Sequence, residues 1–180
     1  FNPHLDHAHF RIGASDYAAL TIVPVLIARL RAAAPSVTLE VLPVGPSIFE
    51  DLESGRLDLS FWGTAPPAKP FLYSQLFEEC FVGLADAQHH IFARSFKDAI
   101  TLDQFLAYPH LTVSLGDPGI SAVDQALTAL GRTRRVGATS FSFIGSIATL
   151  QGSDFLASAP SRLVRVGTFP SLHKFDLPLK

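Results

Sequence analysis

The residues able to do chemistry in this chain are serines, histidines and aromatics beside turns. Ser15, Asp16 and Tyr17 follow one apolar run, and Pro46 and Ser47 follow a second. Trp62 and Gly63 close a third, and Ser114, Gly116, Phe141, Phe143 and Ile144 take similar places further along. A serine hydroxyl and free backbone N–H groups at such a junction suit a carboxylate, and a neighbouring ring suits an apolar body. Ser15 and Asp16 are equally suited to capping a helix, and the two roles are compatible. Asp16 opposes an anionic ligand if its carboxylate shares the site. There is no G-x-S-x-G, paired Cys/His motif or P-loop, so no catalytic residue is assigned.

His4, His7 and His9 have metal-ligand spacing but sit in a polar leading segment. Metal sites need ligands fixed by surrounding groups, so these histidines read as solvated. His89, His90 and His110 lack a partner cysteine or H-E-x-x-H setting and read as turn and strand-start residues. No metal or cofactor is expected. Arg132, Arg134 and Arg135 form a tight basic cluster, read as a solvated edge, with an anion or partner contact as the alternative.

Elements must hold these residues in place, and the pattern names them. Residues 10–14 alternate as a strand, and a helix follows with apolar positions Leu20, Val23, Ile27 and Leu30. Pro24 must lie in a first helical turn, and Pro35 ends the helix. Residues 37–44 are apolar on both faces, as in a buried parallel strand. Ser47 and Glu50 form a capping-box pattern, Gly55 follows that helix, and residues 57–62 read as a third strand. Residues 73–85 read as a long extended segment. A second cycle follows: a Thr101–Gln104 capping box, a strand at 111–114, a turn at 116–119, a helix along Ile120 to Leu130 and a strand at 134–140. A helix at 143–151, a strand at 155–159, a short helix from Pro160 and an extended end complete it. The expected fold is α/β: two Rossmann-like βαβαβ lobes joined by extended crossings, with a ligand cleft between them. Residues 1–9 read as a linker remnant, 10–85 as lobe I, 86–171 as lobe II and 172–180 as the start of a return crossing.

Size and composition narrow the function. The chain has 180 residues with a 48% hydrophobic share, which supports a packed core. Its net charge of -2, without a basic stripe, argues against gripping a phosphate backbone. The single cysteine, Cys80, excludes an internal disulfide and fits a reducing compartment. No secretory pattern opens the chain, and no apolar run reaches the ~18 residues of a membrane span. Methionine is absent even at position 1, so the chain reads as a piece or processed product of a longer protein.

These motifs, in this order, resemble the effector-binding domain of the LysR-type transcriptional regulators. The resemblance rests on FRIGASDY, the P-x-L-x-x-L-R-x-x-x-P pattern from Pro24, LESGRLDLSFWG and LFEECFVGLADAQHHIFA in the first half. PHLTVS, the run GRTRRV and SDFLASAPSRL continue it through Leu163. The ASD opening, PHLTVS and DFLASAP look nearest to the nodulation and naphthalene/salicylate regulators. His89-His90 departs from the family's His-Pro, which bears on the turn rather than the fold. The resemblance implies a type 2 periplasmic-binding-protein fold and effector contacts from Ser15 and Ser47. It also implies homodimers through the first lobe, tetramers of the full-length protein, and DNA contact only through an N-terminal helix-turn-helix outside this chain. The chain stops about where the family's second crossing strand re-enters the first lobe.

The leading expectation is thus a cytoplasmic ligand sensor, not an enzyme and not a membrane protein. A transporter's solute-binding protein and an enzyme of the same fold are the alternatives. Micromolar binding needs about 8 kcal/mol. Burying ~150 Å² of an aromatic effector contributes roughly 4 kcal/mol before rigid-body costs. Polar anchors such as Ser15 and Ser47 are therefore required, which favours a small aromatic or apolar acid.

Overall fold

The alternation around Ile12 forms strand β1 (Ala8–Ala14), whose last three residues are buried. This computed structural model describes residues 2, 4–63, 70–92, 99–115, 121–166 and 169–179. The chain divides into two units, Phe1–Cys80 and Phe81–Lys180. In the first, β1 lies between β2 (Val37–Pro43) and β3 (Leu59–Ser60), both parallel to it. β1 starts at Ala8, two residues before the expected start. β2 is not the doubly buried strand expected: it pairs only with β1, and Thr38 and Glu40 are exposed. β3 is shorter than expected, yet backbone pairing continues on both sides of it. Asp58 N–H donates to Arg11 O and Phe61 N–H to Gly13 O, each at 2.9 Å.

The expected single helix after β1 is two, α1 (Asp16–Thr21) and α2 (Val23–Ala33). Pro24 takes the first turn of α2, where its missing N–H is harmless. Continuing α1 through it would drive the ring against the Leu20 carbonyl, so the chain breaks at Ile22. The next helix, α3 (Ile48–Glu53), corrects another expectation. Ser47 precedes it with φ -89 and ψ 13, and its side chain makes no capping bond. A capping serine needs an extended backbone to swing its hydroxyl over the first turn. Ser47 Oγ instead donates to Asp51 Oδ2 at 3.2 Å. Gly55 does take the left-handed conformation, φ 71, that ends the helix. Gly13 lets α3 close on the sheet, since a Cβ there would meet Ser60 Oγ at 2.9 Å and Ile48 Cδ1 at 3.0 Å. Ala14, Ala18 and Val23 form a small core against Ile22, Val41 and Phe61.

The second unit holds β4 (Phe81–Asp86), β5 (His110–Val113), β6 (Val136–Ser140), β7 (Leu156–Pro160) and β8 (Leu172–Phe175). Their order is β6-β5-β7-β4-β8. β5 is parallel to β6 and β7, whereas β4 runs antiparallel to β7 and β8. Helices α4 (Leu102–Leu106), α5 (Ala122–Ala129), α6 (Phe143–Leu150) and α7 (Ser161–Val166) complete it. The expected second cycle is β5-α5-β6-α6-β7. The expected long strand is regular only at β4; residues 71–80 have no regular secondary structure. Ala85, Ile91, Ile100, Phe105, Val123, Leu127 and Leu156 form the core. Burying a side chain the size of Phe105 or Leu127 contributes about 1.5–3 kcal/mol.

Local chemistry fixes these pieces. Thr101 and Gln104 make both bonds of the expected capping box. Buried His89 accepts Ile91 N–H on Nδ1, and its Nε2 donates to the Asp154 carbonyl at 3.0 Å. His110, also buried, donates from Nε2 to the Phe105 carbonyl at 2.9 Å. The basic cluster is not a solvated edge throughout. The Arg134 side chain is only 4% exposed, and its Nε and Nη2 each meet the Asp124 carboxylate at 2.8 Å. Burial raises the Asp124 pKa, but hydrogen bonds from Arg134 and Ser121 outweigh it and hold the carboxyl below its usual range. Arg132 pairs with Asp103, and Arg135 is exposed. His4 and His7 are exposed, and His9 pairs with Glu40 at 3.1 Å. Among the described residues no group of three or more His, Cys, Asp and Glu is placed to hold a metal ion, and no helix is long and apolar enough to cross a membrane.

Candidate functional site

Parallel pairing brings the carboxyl ends of β1, β2 and β3 to one edge of the first unit's sheet. That edge is where open α/β sheets take ligands. Ser15, Asp16 and Tyr17 follow β1, Pro46 and Ser47 follow β2, and Trp62 and Gly63 follow β3. Half-buried Ser15 caps α1, its Oγ accepting Ala18 N–H at 3.3 Å. Asp16 Oδ1 accepts Tyr17 N–H at 2.9 Å, so its carboxylate serves its own turn. The Tyr17 hydroxyl donates to Glu79 Oε2 in a short hydrogen bond, and Glu79 Oε1 accepts Cys80 N–H at 2.9 Å. Ser47 is half-buried, and the Asp51 carboxylate that receives its hydroxyl is also gripped by Arg56 Nε at 2.7 Å. Pro46 and Gly63 are exposed. Half-buried Trp62 meets Phe49 edge-on at 4.9 Å, and Phe49 meets Phe71 at 5.1 Å.

The second unit repeats the arrangement at the ends of β5 and β6. Ser114 is exposed and its N–H donates to Ser140 O at 2.9 Å. Ser140 Oγ accepts Ser142 N–H, and Ser142 caps α6 by accepting Gly145 N–H at 2.9 Å. Between them Phe141 projects with 85% of its surface exposed. Ile144 is exposed and Phe143 half-buried on the first turn of α6. Gly116 lies outside the described residues.

The expected residues thus fall into two sets, one on each sheet's carboxyl edge. Sequence reasoning missed Phe49 and Phe71, which pack against Trp62, and Ser60, whose Oγ donates to Gly13 O at 3.3 Å. It also missed Ser140 and Ser142, although a serine three residues ahead of Gly145 at a strand end is a readable cap. Glu79 carried no local signal, because its partner Tyr17 is 62 residues away.

Two α/β units with polar, aromatic-bearing strand ends fall in the two-lobe, periplasmic-binding-protein-like class. The LysR substrate binding domain model matches residues 4–174, and the chain belongs to that family. Nodulation protein D 2 of Rhizobium leguminosarum bv. phaseoli is 30% identical over 190 residues, spanning 99% of this chain and 56% of the relative. The HTH-type transcriptional activator NahR of Pseudomonas putida is 28% identical, over 91% of this chain and 53% of its own length. The chain therefore spans about half the length of the curated relatives it matches. Among solved structures, a probable transcriptional regulator from Pseudomonas aeruginosa superposes with a TM-score of 0.85 at 25% identity, covering 100% of this chain and 59% of that one. The BenM effector binding domain, solved with its effector benzoate, superposes with a TM-score of 0.74 at 16% identity, over 94% of this chain and 77% of that one. At that identity the likeness concerns the fold alone.

Proposed function

We propose that this domain senses a small aromatic or apolar acid for a transcriptional regulator that carries its DNA-binding segment outside this chain. One observation carries the reading: the parallel order β2-β1-β3 gathers Ser15, Ser47 and Trp62 on a single sheet edge. Ser15 Oγ accepts from Ala18 N–H and keeps its own proton for a carboxylate, and Ser47 would turn its proton from Asp51 to the ligand. The rings around Trp62 supply apolar surface for an aromatic body. Membership of the LysR family supports the sensing role, and BenM shows that this fold can hold an aromatic acid.

Binding alone changes nothing downstream. The effector must favour one conformation over another by its differential affinity, and the regulator then reads that population. The full-length protein works as a cytoplasmic homodimer that assembles to a tetramer, and it meets DNA only through segments outside this chain. The domain performs no bond chemistry and uses no cofactor.

The test is a thermal-shift panel of aromatic and apolar acids, followed by titration of the best binder. Ser15→Ala and Ser47→Ala should each weaken binding about tenfold, the worth of one charge-assisted hydrogen bond. Ser15→Ala also loses its helix cap, at about 1 kcal/mol of stability, so titrations belong well below the unfolding temperature. Parent-like affinity in both variants would remove these serines from the site. A panel in which no acid stabilises the domain would refute the ligand class.

A further inference from the structure

We infer that Glu79 is the positioning residue of the β1–α1 turn, acting through the Tyr17 hydroxyl. This inference rests on the proposed strand-end site. Tyr17 stands one residue beyond Asp16 and two beyond Ser15, in the first turn of α1. α1 spans only Asp16–Thr21, which on its own is too short to hold its orientation firmly. The Tyr17 hydroxyl donates to Glu79 Oε2, a bond between a phenol and a carboxylate, the strong class of neutral-to-charged hydrogen bond. Both partners are half-buried.

Glu79 is itself fixed. Its second oxygen accepts the N–H of Cys80, the last residue of the first unit, and β4 starts the second unit at Phe81. Residues 71–80 lack regular structure, and Leu72, Tyr73 and Leu76 are exposed, while Phe71 packs on Phe49. The Glu79 carboxylate links the turn bearing Ser15 and Asp16 to the end of the first unit's chain. A ligand that shifts this turn pulls on Glu79, and through the Cys80 amide on the junction with β4. The same bond works in reverse, because a coupling free energy is reciprocal.

Amide hydrogen exchange on the chain tests this without a known effector. The amides of Ala19 and Ile22, bonded to Ser15 O and Ala18 O, report the turn and α1. Glu79→Ala and Tyr17→Phe should speed their exchange about tenfold, the loss of one charge-assisted bond. Glu79→Gln keeps an acceptor and should restore most of the protection, whereas Glu79→Met fills the same space without an acceptor and should not; recovery in Glu79→Met would mean space filling alone and overturn the inference. Parent-like exchange in Glu79→Ala and Tyr17→Phe would overturn the inference. In a second arm, millimolar sodium benzoate is the probe. Protection that reaches both the β1–α1 turn and the amides of Cys80 and Phe81 in the parent, but only the turn in Glu79→Ala, supports the coupling. Protection of Cys80 and Phe81 that persists in Glu79→Ala would overturn it. If benzoate leaves the parent unchanged, benzoate is excluded as a ligand and the strongest acid of the panel takes its place as the probe, while the first arm still decides the role of Glu79.

Discussion

Acidification should destabilise the second unit through one buried ring. His110 is fully buried where β5 begins, edge-on to Phe105 with ring centroids 4.4 Å apart. Its Nε2 faces the Phe105 carbonyl, which can only accept, so Nε2 carries the proton and Nδ1 the lone pair. Nδ1 has no hydrogen-bond partner among the described residues. Protonating it would put a charge and an unpaired donor into an apolar site. Burial accordingly pushes the pKa down from 6.5 to about 4, against the opposing hydrogen bond to Phe105. Above pH 6.5 both folded and unfolded chains hold the ring neutral, and the full stability is present. As pH falls through 6.5 the unfolded chain takes up a proton that the folded one refuses, so stability declines until about pH 4. A gap of that size is worth about 3 kcal/mol in full, of which about 2 kcal/mol is already lost at pH 5. Urea unfolding followed by circular dichroism at pH 7.5 and pH 5 measures this for the parent and His110→Gln. Glutamine can still donate to Phe105 O but does not titrate. His110→Gln starts less stable because it forfeits the ring contact, so the difference between the two pH values is the quantity of interest. The parent should lose about 2 kcal/mol more than His110→Gln. Equal losses would refute the neutral, unpartnered ring.

Two further changes probe the framework. Arg134→Met removes the guanidinium that holds Asp124, a carboxylate 35% exposed, and should cost about 2 kcal/mol near pH 7 by chemical denaturation, a figure reduced for partial solvent access. That cost should shrink as pH falls through the depressed Asp124 pKa, since the protonated acid no longer needs a cation. Gly83→Ala places a Cβ 2.2 Å from the Phe175 ring, so it should loosen β8 from β4, cost about 1–3 kcal/mol and speed amide exchange in β8.

The alternation of β1, the strand ends at Ser15 and Ser47, and the second βαβαβ cycle were legible because each depends on residues close in sequence. Thr101 and Gln104 formed the expected capping box within one helical turn. Ser47 and Glu50 show the same pattern, yet the backbone after Gly45 and Pro46 denies Ser47 the extended conformation a cap needs. Pro24 was correctly placed in a first turn, but nothing in the pattern revealed a separate α1 ahead of it. Arg134 looked solvated because its partner, Asp124, lies on α5, ten residues earlier in sequence. Glu79 and the aromatic partners of Trp62 were illegible for the same reason: tertiary packing chose them, and no local spacing encodes it.

Hydrogen-exchange mapping with the strongest acid from the thermal-shift panel tests the central claim most directly. The account predicts slowed exchange at the β1–α1 turn around Ser15 and at the turn before Ser47. Protection confined to other surfaces, with these strand ends exchanging as in the free domain, would contradict it.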